Sequence, residues 1–209
     1  MNLLSIAIYG YTMACVLIPC AVYQILLYRK WDHREGLSKG NLLWRYVFLL
    51  YLCMVMRAVF MGSVWDLASN GPIRWADVNL VPFQSENLMQ YALNVLLFMP
   101  LGFLLPLIWG KYRMVSHTLL AGFLFTLFIE LGQLFNHRLT DIDDILMNML
   151  GTAIGFGLWY GFDRLFHIKP REANFFPDTP LLYLALTVFG SFFLDNWRLT
   201  VFFFGGMAR

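Results

Sequence analysis

The chain carries little charge for its length. Only 13% of its 209 residues are charged, whereas a soluble globular domain has about 25%. No long run of lysine or arginine occurs, which argues against a nucleic-acid partner. With 59% hydrophobic residues and a mean hydropathy of +0.61, the composition excludes an ordinary soluble domain and indicates an integral membrane protein.

Cysteines and linker segments are also few. Cys15, Cys20 and Cys53 lie in apolar runs without a CxxC pair, so we interpret them as small buried hydrophobic residues. No basic residue precedes the apolar run from Leu3, as a signal peptide would require, so this run is predicted to be an uncleaved span. Because the sequence contains no linker and no repeat, residues 1–209 are expected to form a single membrane domain. We expect this domain to bind no metal and no cofactor.

Long apolar runs are what the sequence does contain. A membrane-spanning helix needs about 20 mostly apolar residues. The candidates are Leu3–Tyr28, Leu42–Val64, Leu88–Trp109, Val115–Phe135, Ile145–Phe166 and a last run from Pro180. Asp195, Asn196 and Arg198 interrupt the last run, which predicts either a short span followed by an interfacial tail or one long helix with a polar notch. The sequence therefore predicts an all-α, polytopic membrane helical bundle of about six transmembrane helices.

The loops differ in their content of basic residues. The odd-numbered loops hold Arg29, Lys30, Arg34, Lys39, Lys111, Arg113, Arg164, Lys169 and Arg171. The even-numbered loops hold only Arg74 and Arg138. Because lysine and arginine stay on the cytoplasmic side, the odd loops are predicted to be cytoplasmic, and the N-terminus is predicted to lie outside.

Polar residues of four predicted helices fall at one depth, in the outer third of the membrane. These residues are Arg57, Gln90, Asn94, Glu130, Asp144 and Asn148. A charged side chain inside a membrane costs about 2.5–3.5 kcal/mol on insertion scales, so such residues usually face the bundle interior or a water-filled cavity. We therefore predict an outward-facing polar pocket lined by the second, third, fourth and fifth spans, in which Arg57 is well placed to pair with Glu130.

Structural roles are the alternative for several of these residues. Thr140 resembles a helix N-cap with Asp143 at the N3 position, and acids favour a helix N-terminus. An Arg57–Glu130 pair would fix helix register without binding anything. His137 with nearby aspartates would offer metal ligands, although such residues are common at solvated helix starts.

A series of motifs resembles the VanZ-like family. The motifs, in order, are Asn79–Phe83 (NLVPF), Asn94–Phe103 (NVLLFMPLGF), Ile129–Gln133 (IELGQ), Arg138, Asp141–Asp144 (DIDD), Asn148 and Gly151–Gly155 (GTAIG). The resemblance covers residues 79–161, which we define as the VanZ-like core, and it does not extend to Arg57.

The resemblance implies a small multi-span protein related to one that raises resistance to teicoplanin, a glycopeptide antibiotic that acts at the outer face of the bacterial membrane. It also implies a set of site residues, namely Asn94, Glu130, Gln133, Arg138, Asp141, Asp143, Asp144 and Asn148. The depth argument adds Arg57. The expected ligand is a membrane lipid, a lipid-linked envelope precursor or the antibiotic itself. The expected location of the protein is the bacterial plasma membrane.

Two other functions stay open from the sequence. An intramembrane enzyme would use Glu130 with Asp143 or Asp144 as general acid and base on a lipid-linked cell-wall precursor, although no HExxH, GxSxG or P-loop motif is present. An ion-coupled transporter would need polar stations across the whole membrane. The runs 119–127 and 156–162 are almost wholly apolar, which favours a binding protein over a transporter.

Overall fold

The computed structural model describes residues 3–31, 39–59, 61–66, 70, 71, 76, 78–83, 87–138, 140–167, 180–196, 198, 199 and 202. These residues are almost entirely helical, and the predicted all-α membrane bundle is confirmed. The helices are α1 (Leu3–Trp31), α2 (Lys39–Val59), α3 (Leu88–Ile108), α4 (Val115–Gln133), α5 (Ile142–Phe166) and α6 (Pro180–Phe189). Short 3₁₀ turns follow α2, α3 and α4 at Val64–Asp66, Gly110–Arg113 and Leu134–Asn136.

Five of the described helical segments are long and apolar enough to cross a membrane, and α6 with its extension is shorter. A π-helical turn, Gly190–Leu194, continues α6 and ends in extended backbone at Asp195. Asp195 therefore ends the helix and does not form a notch within it. The prediction of one long helix with a polar notch was therefore wrong. That of a short span with an interfacial tail stays a prediction, because Pro180–Leu194 is not among the five candidate spans and much of the chain after Asn196 lies outside the described residues.

Helices α3 and α5 pack more closely than any other pair of described elements. Glycines make this possible, since a Cβ at Gly151 would overlap the carbonyl of Val95, and a Cβ at Gly155 would overlap that of Met99. The Gly151–Gly155 (GTAIG) motif thus lies in a close helix contact of the kind that small residues allow. Gly161, later on α5, has no neighbour within 4 Å of such a Cβ among the described residues.

Two short strands connect the loop before α3 to the start of α5. Strand β1 (Val78–Asn79) pairs in parallel with β2 (Thr140–Asp141). The sequence did not indicate these strands, because two residues are too few to show an alternating pattern. Their effect is to hold the Asn79–Phe83 motif beside the first turn of α5.

A layer of fully buried apolar side chains crosses the middle of the bundle. Phe98, Leu101 and Leu105 of α3 are 0% exposed, and Phe125 of α4 is 1% exposed. The rings of Phe98 and Phe125 have centroids 5.9 Å apart. Many other large hydrophobic side chains are exposed on the outside of the helices, as expected for surfaces that face lipid.

The two ends of the bundle differ in chemistry. We call the end that holds the C-termini of α2 and α4 and the N-termini of α3 and α5 the cavity end. At the opposite end, Arg113 forms an ion pair of 3.7 Å with Asp163. Arg34, Arg74, Lys169 and Arg171, on which part of the orientation argument rests, lie outside the described residues. The N-out orientation stays a prediction.

Candidate ligand-binding cavity

A cavity of about 460 Å³ lies at the cavity end of the bundle, among α2, α3, α4 and α5. One wall is apolar, with Ala58 and Val59 of α2 and Met89, Leu93 and Leu97 of α3. The polar wall consists of Asn87, Gln90, Asn94, Glu130, Gln133, Arg138, Asp144 and Asn148. Six of the nine predicted site residues therefore line this cavity, and they come from α3, α4, α5 and the loop before α5.

Asp144, in the first turn of α5, is held by two amides of α3. Asn94 donates a hydrogen bond of 2.6 Å to its Oδ1, and Gln90 donates weaker bonds of 3.2 and 3.4 Å to its two oxygens. Amide donors stabilise a carboxylate, and the N-terminus of α5 favours negative charge. Asp144 is nevertheless only partly buried, so its carboxylate is available to the cavity.

Glu130, near the end of α4, is the most enclosed ionisable group of the cavity. Its side chain is 2% exposed. The backbone N–H of Asp141 donates to its Oε2 at 3.4 Å, a long bond. Arg138 and Asp144 both interact with this carboxyl electrostatically. Glu130 and Asp144 thus bring two acidic groups, from different helices, to one cavity.

Asn148 lies one turn deeper than Asp144 on α5 and is 3% exposed. Its Nδ2 donates to the hydroxyl of Thr126 at 2.8 Å. Its Oδ1 is buried, and no donor of the described residues reaches it. A buried acceptor without a partner costs about 1–3 kcal/mol, and it is therefore the kind of group that a bound ligand satisfies.

Gln133 and Arg138 close the cavity against α2. Both donate to the backbone carbonyl of Val59, Gln133 at 2.9 Å and Arg138 at 3.0 Å. Because Val59 is the last residue of α2, its carbonyl has no partner within the helix. The IELGQ motif and the following arginine thus cap the end of α2, whose Ala58 and Val59 line the cavity.

Asp141 and Asp143 lie beside the cavity and do not line it. Asp141 is the N-cap of α5 and accepts a bond of 3.0 Å from the N–H of Asp143. The expectation that Thr140 is the cap was wrong, because the Thr140 hydroxyl donates to the backbone carbonyl of Glu130 at 3.0 Å instead. The start of α5 is therefore capped as expected, but the cap is Asp141, one residue after Thr140. Asn79 of β1 also donates to Asp141, at 3.3 Å.

Asp143 is fully buried and fixes the loop before α3. Its carboxylate accepts bonds of 2.8 and 3.0 Å from the N–H of Phe83 and a bond of 2.6 Å from the hydroxyl of Tyr91. Phe83 has a φ of 60°, in the left-handed region that a bulky residue avoids. Such strain persists only where surrounding contacts hold it, and Asp143 supplies those contacts.

Arg57 lies away from the cavity. Its guanidinium is 4.2 Å from the centroid of the Tyr9 ring, and it interacts electrostatically with Asp195 after α6. Burial raises the pKa of Asp195, and the Thr12 hydroxyl and Arg57 act in the opposite direction. The expected pairing of Arg57 with Glu130 was wrong, because depth along the helix was known from the sequence but the direction of the side chain was not.

Three residues that contact the site were not predicted as site residues from the sequence. Gln90 was assigned to the polar layer but not to the site, although it binds Asp144. Tyr91 and Thr126, which contact Asp143 and Asn148, were not identified, since a single hydroxyl in an apolar helix gives no pattern. Among the described residues, no group of three or more His, Cys, Asp and Glu is arranged to hold a metal ion.

Comparison with known proteins gives one assignment. The model of the VanZ/LLP1 family matches residues 48–167, a segment that runs from α2 to the end of α5 and includes every residue that lines the cavity. No curated protein matches the chain, and no solved structure matches it. Since the match covers more than half of the 209 residues, this chain belongs to the VanZ/LLP1 family.

Proposed function

We propose that the protein binds the polar headgroup of a membrane amphiphile in the cavity among α2, α3, α4 and α5. The observation that carries this proposal is the division of the cavity into two walls. Acidic and amide side chains form one wall, and Ala58, Val59, Met89, Leu93 and Leu97 form the other. A ligand with a polar head and an apolar tail matches both.

The apolar wall continues to the outside of the bundle. Met89 is 69% exposed and Leu93 is 56% exposed, so an apolar tail that leaves the cavity on this side stays in contact with hydrophobic surface. The Tyr51 hydroxyl donates to the Leu97 carbonyl at 2.9 Å and joins α2 to α3 at the inner limit of the cavity. A lipid-linked ligand would therefore enter sideways from the membrane.

The membrane side and the biological context are also proposals. The distribution of lysine and arginine supports an outer-leaflet position for the cavity end, and the VanZ-like resemblance supports a bacterial plasma membrane. The VanZ-like resemblance adds a role in teicoplanin resistance. Teicoplanin and the lipid-linked cell-wall precursors meet the membrane on that side, so a headgroup site there would change how much of either is available.

The chemistry of the lining favours binding over catalysis or transport. Among the described residues that line the cavity there is no serine, threonine, cysteine, histidine or lysine, so they offer no side-chain nucleophile of the usual kinds beside the two carboxyls. Below the cavity, the apolar layer of Phe98, Leu101 and Phe125 offers no polar station for an ion. A carboxylate enzyme is the alternative that the test below distinguishes.

The test compares two tryptophan substitutions in the purified full chain. Ala58 is exposed and lines the cavity, whereas Ala92 is exposed on α3 and does not line it. Ala58→Trp is expected to fill the cavity and to lower retention of envelope lipids, measured by native mass spectrometry, at least tenfold. Ala92→Trp should retain lipid like the wild type. Equal retention by both variants would contradict the proposal, and conversion of the lipid to a product of different mass would favour the enzyme.

A cellular test uses two substitutions that keep side-chain shape. Glu130→Gln and Asp144→Asn are expected to abolish the change in teicoplanin susceptibility that the wild-type protein confers, at equal protein abundance in the membrane. The matched control is Asp163→Asn, at the opposite end of the bundle, which should behave like the wild type. If both cavity variants confer full resistance, the carboxyls are structural.

A further inference from the structure

Acceptor atoms of the cavity lining lack close donors among the described residues. Asn148 Oδ1 has no donor among the described residues, and the bond that Glu130 Oε2 accepts from the N–H of Asp141 is long, at 3.4 Å. Within the described part of the chain, Asp144 Oδ2 receives a contact of 3.4 Å from Gln90 and no shorter one. A group that carries several donors and no acceptor would complete all three.

The charge of the lining points in the same direction. Among the charged residues that line the cavity, the carboxyls of Glu130 and Asp144 outnumber the guanidinium of Arg138. Arg138 is exposed and already donates to the carbonyl of Val59. A buried excess of carboxylate is costly unless a cation pairs with it.

A primary ammonium group has the required chemistry. It carries a positive charge and three donors and has no acceptor. A phosphate or carboxylate placed in the same position would present only acceptors and negative charge to Glu130, Asp144 and Asn148. A trimethylated ammonium would supply the charge but no donor.

We infer that the cavity recognises a membrane amphiphile by a primary ammonium group, which Asn148 Oδ1, Asp144 and Glu130 bind together. This inference rests on the proposed headgroup-binding function and specifies its ligand class. A phosphate next to the ammonium would lie toward Arg138 at the rim. The ammonium belongs either to a phospholipid headgroup or to the amino sugar of a lipid-linked glycan.

Matched ligand pairs test the inference with the purified full-length protein. The first pair is phosphatidylethanolamine and phosphatidylcholine with identical acyl chains, which differ only in N-methylation. The second is a glucosamine glycolipid and its N-acetylated form. In at least one pair, the free amine is expected to bind at least tenfold more tightly, which corresponds to about 1.4 kcal/mol. The pair that shows the preference identifies the source of the ammonium.

Variants assign the preference to the cavity. Asn148→Ala and the shape-conserving Asp144→Asn should each reduce the preference to less than threefold. Thr126→Val removes the Asn148–Thr126 bond but leaves Oδ1 in place, so it should keep the preference. Asp144→Asn and Thr126→Val remain informative if Asn148→Ala does not fold.

Three results would overturn the inference. These are equal binding within both pairs, tighter binding of phosphatidylglycerol than of either amine, and a preference that Asn148→Ala and Asp144→Asn leave unchanged. If Ala58→Trp abolishes binding in these cases, headgroup binding in the cavity stands and only the ammonium assignment fails. If Ala58→Trp leaves binding intact, the proposed function fails as well.

Discussion

Asn94 of α3 donates a hydrogen bond of 2.6 Å to the carboxylate of Asp144 in α5. This bond lies at the cavity end of the contact between α3 and α5, the helices that pack most closely in the described part of the chain. It therefore does two things, since it orients Asp144 toward the cavity and joins the two helices at their polar ends.

The first prediction concerns this bond. Asn94→Ala and Asp144→Ala should destabilise the protein non-additively, because each removes the same hydrogen bond. A bond to a charged group contributes about 1.5–3 kcal/mol, so we expect a coupling free energy of about 1–2 kcal/mol in a double-mutant cycle of unfolding in bicelles. Gln90→Ala, which removes only the longer contacts at 3.2 and 3.4 Å, should couple more weakly to Asp144→Ala. Additive effects for Asn94 and Asp144 would contradict the bond.

The second prediction concerns the loop that Asp143 holds. Asp143→Ala leaves the N–H of Phe83 and the hydroxyl of Tyr91 without their acceptor, so the strained conformation of Phe83 should be lost. A cysteine at Val81, which is 54% exposed, should then react faster with a thiol reagent in Asp143→Ala than in the parent protein. Tyr91→Phe removes one of the bonds and should give an intermediate rate. Unchanged rates would show that Asp143 does not hold this loop.

The third prediction separates two glycines of α5. Gly155→Val places side-chain atoms against the Met99 carbonyl of α3, whereas Gly161→Val meets open space. Overpacking costs about 1–3 kcal/mol, and both substitutions change helix propensity equally. Gly155→Val should therefore lower the apparent melting temperature in detergent clearly, and Gly161→Val should leave it close to that of the wild type. The reverse order would contradict the observed α3–α5 contact.

The fourth prediction tests orientation in the membrane. The native cysteines Cys15, Cys20 and Cys53 should not react with the thiol reagent, because they are buried. A cysteine at Val81 should react with a membrane-impermeant thiol reagent applied to intact cells. A cysteine at Lys111, exposed at the opposite end of the bundle, should react only after permeabilisation. Labelling in the opposite pattern would place the cavity on the cytoplasmic side and remove the basis for a role with outer-leaflet ligands.

Hydropathy was sufficient to predict the helices, because a membrane span must satisfy its own backbone hydrogen bonds. Hydropathy did not predict the first residue of α5 correctly. The helix begins at Ile142 rather than at Ile145, since Asp141 caps a polar first turn that an apolar count does not include.

The sequence was sufficient to predict the depth at which the site residues lie in the membrane, but not the contacts that their side chains make. Glu130, Asp144 and Asn148 line one cavity because their helices pack together at the level that their sequence positions indicate. Arg57 lies at the same depth as these residues, but its side chain points away from the cavity and faces Tyr9. The division between Asp144, which lines the cavity, and Asp143, which binds the Phe83 loop, depends on β1 and β2, for which the sequence contains no readable signal.

The most direct measurement is an electron cryomicroscopy structure of the full chain in nanodiscs of bacterial lipid. We expect density for a lipid-like molecule among α2, α3, α4 and α5, with its polar end within about 2.7–3.2 Å of Asp144 and Asn148 and its tail along Met89 and Leu93. Ordered lipid elsewhere on the bundle, with the cavity closed or filled only by water, would contradict this expectation.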